Sequence, residues 1–125
     1  MKGLPKSAFR HRARGFIHIE KEHNMSATIE MVSFKLNDGV SPAVFIKASE
    51  ELDNWVGQQS GFEYRALAQQ EDGTWVDIVF WQSQAHAQQA GDAFMTAKES
   101  QNMMACIDKN SVVMQHMPVM ASLSN

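Results

Sequence analysis

Residues 62–82 constrain this chain more than any other stretch. Phe62 to Gln70 and Trp75 to Gln82 read as strands, and Asp72-Gly73 between them is a strong hairpin signal. With Glu71-Asp72-Gly73 as a three-residue loop and Gly73 left-handed, Gln70 pairs with Thr74. Tyr64 then lies opposite Phe80, Ala66 opposite Ile78 and Ala68 opposite Val76. That face is almost wholly apolar and is expected to lie beneath helices. The other face carries Glu63, Arg65, Leu67 and Gln69 against Trp81, Val79, Asp77 and Trp75. A two-residue Asp72-Gly73 turn would slip the pairing by one and mix charge into both faces, which is costly where a face is buried.

The elements around this hairpin follow from their periodicity. Ile29 to Leu36 alternates as a strand, with Val32, Phe34 and Leu36 on one side, and Asn37-Asp38-Gly39 ends it. Ser41-Pro42 is a capped helix start. Val44, Phe45, Ala48, Leu52, Trp55 and Val56 then form one apolar helical stripe. Ser83 caps a second helix whose inner face is Ala87, Ala90, Gly91 and Phe94, small residues that would let it sit close on a sheet. A further turn or two over 99–107 leads to a last strand, Ser111 to Val119. The order β-α-β-β-α-β is that of a ferredoxin-like α+β fold: a four-stranded antiparallel sheet with helices on one face.

Charge divides the chain. Residues 1–24 hold six basic and two acidic side chains, and residues 25–125 hold five basic and twelve acidic. We read 1–24 as a basic leader outside the domain and 25–125 as the domain, with Met25 at its opening. The acidic domain lacks the clustered Lys and Arg that nucleic-acid binding requires. No stretch is long and apolar enough for a membrane span. A single cysteine, Cys106, gives no internal disulfide and no Cys-based zinc site, and a cytoplasmic, reducing location is expected. The five histidines form no metal-binding motif. Neither a metal nor a cofactor is expected.

The Trp81/Arg65 face is too apolar for water and too polar for a plain core. Two such sheets packed face to face would make a homodimer enclosing a cavity lined by Trp75, Trp81, Leu67 and Val79. His116 alternates with Met114 and Val112, so His116 and Met114 would point into that space. Arg65 and Asp77 read equally as a cross-strand or intersubunit ion pair. His86, at a helix start, and Asn54 read as exposed.

The run from Asp72 to Ser83, with Gly61-Phe62 before it and Ser111 to His116 after it, resembles the antibiotic biosynthesis monooxygenase-like (ABM-like) family of the dimeric α+β barrel superfamily. The resemblance covers roughly residues 27–119 and leaves the leader outside. It implies the barrel dimer and a small aromatic or phenolic ligand. Some relatives are cofactor-independent monooxygenases that use Asn, Trp and Arg around a cavity, residue types offered here by Asn54, Trp55, Arg65 and Trp81. On that pattern Arg65 would steady an anionic oxygen, Trp81 would stack on a ring, and His116 or Asp77 would move the proton. Haem-degrading relatives use a His after an Ala and an Asn on the first strand. This chain has Ala97-Lys98 and Ile29 to Ser33 there, which argues against haem. A non-catalytic binder or sensor, or a purely structural dimer, are the alternatives.

Overall fold

The structure is a computed structural model, and it describes residues 27–124. The leader 1–24 and Met25 lie outside the described residues. Four strands and three α-helices follow in the order β1 (Thr28–Phe34), α1 (Pro42–Gly57), β2 (Phe62–Gln69), β3 (Trp75–Trp81), α2 (Gln84–Phe94), α3 (Gln101–Cys106) and β4 (Val113–Pro118). The sheet order is β2-β3-β1-β4, antiparallel throughout. This is the ferredoxin-like α+β architecture that the element order predicts.

The local signals behave as read. Ser41 caps α1 by accepting from the Val44 amide, with Pro42 in the first turn, and Ser83 caps α2 by accepting from the His86 amide. Gly73 has φ 92°, the Gln70 amide donates to the Thr74 carbonyl at 2.8 Å, and the register is the three-residue-loop one. Asp72 accepts from the Thr74 amide across this loop, and that bond lowers the Asp72 pKa.

The faces are the reverse of the expectation. Trp75, Asp77, Val79 and Trp81 are buried beneath the helices, while Tyr64, Ala66, Val76, Ile78 and Phe80 on the other side are only half-buried in the protomer. The physical reason is on α1. Ser49 and Asp53 supply the hydrogen-bond acceptors that let the Arg65–Asp77 pair sit under a helix without orphaned donors. The two indoles are the larger apolar load, and they take the covered side.

Val44 is 58% exposed, so the buried stripe of α1 is Phe45, Ala48, Ser49, Leu52 and Val56. The β2–β3 register shifts between Phe62 and Tyr64, which places Phe62 opposite Trp81 and makes Glu63 the extra residue of a bulge. His86 is half-buried, because its ring lies over Gly61. Gly61 has φ +81°, and a Cβ there would come within 2.3 Å of the His86 ring, so both backbone and packing demand glycine.

Two clusters make up most of the core, and Ala27 with Val119 forms a small third. Phe34, Phe45, Leu52, Trp75 and Met103 form one of the larger clusters, and Val56, Val79, Trp81, Ala87 and Ala90 form the other. Half-buried Trp55 packs against both.

Candidate functional site

A cavity of about 620 Å³ lies between the sheet and the helices of a single chain. This corrects the expected location between two sheets. Every strand and every helix contributes to its wall. The size is within the range of small-molecule sites. The small residues of α2 help to make the room. A Cβ on Gly91 would touch nothing within 4 Å, so glycine here widens the cavity and does not draw the helix onto the sheet.

The wall is chiefly aromatic, aliphatic and methionine. Trp55 and Phe94 meet edge to face across it, with ring centroids 6.2 Å apart. Met103, Met104 and Met114 add flexible, polarizable surface. Two polar constellations interrupt it.

The first is centred on Arg65, whose side chain is 7% exposed. Nε and Nη2 donate to the two oxygens of Asp77 at 3.1 and 2.7 Å. Nη1 donates to Asp53 Oδ1 at 2.6 Å and to the Ser49 carbonyl at 3.1 Å. Nη2 also donates to Ser49 Oγ at 2.9 Å. All five N–H groups are therefore engaged within the chain. Burial acts to lower the Arg65 pKa, but the hydrogen bonds and charges of Asp77 and Asp53 outweigh it and hold the guanidinium firmly protonated.

The second constellation is centred on Glu30, in β1. Trp81 Nε1 donates to Glu30 Oε1 at 3.0 Å. His116 pairs with Glu30 in the β1–β4 register, and its Nε2 lies 3.3 Å from Glu30 Oε2. The Gln84 amide nitrogen is 3.2 Å from His116 Nδ1 and donates to it, which leaves the ring proton on Nε2, directed at Glu30. Each carboxylate oxygen thus accepts one bond and keeps a lone pair. A buried carboxylate so held can accept a proton from a ligand while the imidazole N–H stays bonded to its other oxygen.

Of the residues singled out in the sequence, Arg65, Asp77, Trp81, Val79 and Met114 are on the cavity wall. Trp75 and Leu67 are not, and pack into the first core cluster. His116 reaches the cavity through Glu30. Trp55 is on the wall and Asn54 is exposed outside it. Sequence reasoning missed Glu30. Its signal was position alone, since it alternates with Val32 and Phe34 on the inward side of β1. Among the described residues, no group of three or more His, Cys, Asp or Glu could hold a metal ion. No described helix is long and apolar enough to cross a membrane.

No family model matches the sequence, and no curated protein matches it. Solved structures do match. A variant of SnoaB, a cofactor-independent oxygenase from Streptomyces nogalater, aligns with TM-score 0.64 and 15% identity over 78% of this chain and 96% of that one. The monooxygenase ActVA-Orf6 of Streptomyces coelicolor, in complex with nanaomycin D, aligns with TM-score 0.54 and 14% identity over 79% and 92%. The chain has the fold of the antibiotic biosynthesis monooxygenases. A dimeric ferredoxin-like protein of unknown function from a Jannaschia species shares this ABM-like fold, with TM-score 0.59 and 11% identity over 75% and 100%. At these identities the likeness is one of fold.

Proposed function

We propose that this chain is a cofactor-independent monooxygenase acting on a small aromatic or phenolic compound, and that it works as a homodimer. The observation that carries the reading is the meeting of an aromatic cavity with the Glu30 carboxylate, which Trp81 and His116 hold in place. A phenol bound against Trp55 and Phe94 would transfer its proton to the Glu30 carboxylate, which the His116 N–H orients. The phenolate is electron-rich enough to reduce O2 itself, and a carbon–oxygen bond forms on the ring. Loss of water leaves the quinone. For 1-naphthol plus O2 the products are naphthoquinone and one water; the ring loses four electrons and dioxygen gains them. Arg65 is spoken for by Asp77, Asp53 and Ser49, so its role is to fix Asp77 and the wall of the cavity, with Glu30 taking the proton and His116 positioning Glu30.

The half-buried face of Met31, Tyr64, Ala66, Val76, Ile78 and Phe80 is the surface for the second copy. It is broad, apolar and free of charge, as an isologous interface should be. Two proteins of this fold are described as dimeric, one from Jannaschia and one from Bacteroides fragilis. Light scattering should give a dimer, and Ile78→Glu should give a monomer.

Oxygen uptake with 1-naphthol and related naphthols, which must gain an oxygen atom to become quinones, tests the activity. One O2 consumed per quinone formed supports it, and silence across the panel removes it. One observation favours a second reading, a binder without catalysis: Arg65 has no donor left for an anionic oxygen. Tight binding with no oxygen uptake would select that reading.

A further inference from the structure

We propose that Lys109 selects substrates that carry an acidic group, docking that group at the mouth of the cavity while the phenolic end reaches Glu30. This rests on the reading of the cavity as an aromatic substrate site and names the class of substrate. Among the described residues, two cations line the cavity, Arg65 and Lys109. Arg65 is consumed by its two aspartates. Lys109 makes no ion pair among the described residues and is exposed. The other charged groups on the wall are Glu30, paired with His116, and Asp77, paired with Arg65. Among the described residues, an anion entering the cavity therefore finds a single uncommitted positive charge on its wall.

The lysine is also held in place. It opens a short 3-10 turn, Lys109–Ser111, that is pinned to the end of β1. The Asp108 amide donates to the Lys35 carbonyl at 2.9 Å, and the Lys35 amide donates to Ser111 Oγ at 2.8 Å. Lys109 and its chain neighbour Val112 both line the cavity, and Val112 is 42% exposed, so this part of the wall is open to solvent. Glu30 in β1 and Lys35, just past the end of that strand, are five residues apart, about 17 Å at strand rise. The base and the lysine thus stand toward opposite ends of the cavity. A flat ligand with a phenol at one end and a carboxylate at the other spans that arrangement. One with its carboxylate at the inner end would meet Glu30 and Asp77.

The test compares 2-naphthol with 6-hydroxy-2-naphthoate and its uncharged amide. Binding is read from the fluorescence of Trp55 and Trp81, independently of turnover. The carboxylate should bind the wild type about twofold to fivefold more tightly than the amide, the range that exposed ion pairs supply. Added salt should shrink the difference. Lys109→Gln should abolish it, and Lys47→Gln, on the exposed side of α1, should not. Equal affinities for carboxylate and amide, or a preference that survives Lys109→Gln, overturn the assignment of Lys109 and leave the aromatic site standing. Failure of all three probes to bind overturns both.

Discussion

The Trp81 indole N–H donates to the Glu30 carboxylate at 3.0 Å, across β1 and β3, from a residue only 2% exposed. That bond fixes the carboxylate at the cavity wall and leaves a lone pair on each oxygen for a ligand.

Glu30→Gln should keep the shape and most of the hydrogen bonding while removing the base. Where an oxygenase activity is measured, it should fall by about a hundredfold or more, the scale of general-base catalysis. Ligand affinity and the midpoint of thermal unfolding should change little. A variant with wild-type oxygen uptake would exclude Glu30 as the base.

Arg65→Leu should cost about 3–5 kcal/mol, because it leaves Asp77 buried beside a cavity without its partner. The double variant Arg65→Leu/Asp77→Leu should recover much of that loss, since well-packed apolar pairs can replace buried ion pairs. Urea unfolding of both variants decides it. Equal losses in the single and double variants would mean that Asp77 needs no counter-charge.

Gly91→Leu should fill the cavity from α2 and leave the fold intact, because the space beside Gly91 is open. Binding of 2-naphthol should be lost while circular dichroism stays unchanged. Gly91→Ala should raise stability by roughly 0.5–1 kcal/mol through helix propensity alone. Retained binding in the leucine variant would place the ligand elsewhere.

Burial raises the Glu63 pKa, and its Oε1 has no hydrogen-bond partner. A carboxyl whose folded pKa is raised binds its proton more tightly in the native state. Its contribution to stability is therefore full below the ordinary carboxyl pKa and falls as pH rises through the raised value. Glu63→Gln should raise the unfolding temperature at pH 7, and the difference should vanish at low pH, where wild-type Glu63 is also neutral. A difference independent of pH would point to packing.

The hairpin register was legible because a strand has period two and only the three-residue loop keeps Arg65 and Asp77 on one face and Tyr64 and Phe80 on the other. Which of its faces lies inward was not legible in the hairpin. That choice depends on Ser49 and Asp53 of α1, which complete the hydrogen bonds of Arg65 from sixteen and twelve residues away. Glu30 was hidden for the same kind of reason. A single carboxylate on a strand reads as solvated until its neighbours are known, and its neighbours come from β3 and β4, fifty-one and eighty-six residues on. The small residues of α2 were read correctly as facing the sheet, but size alone does not distinguish close approach from enclosed space.

The two larger core clusters both border the cavity and share Trp55 as a neighbour. An occupant would act as a keystone, touching both clusters at once. Its binding energy would add directly to the resistance of the folded chain to heat, by about 2.7 kcal/mol at a hundred times the dissociation constant. The melting curve of this protein is therefore itself an instrument for finding its ligand, and it can be run against a compound library before any reaction is known.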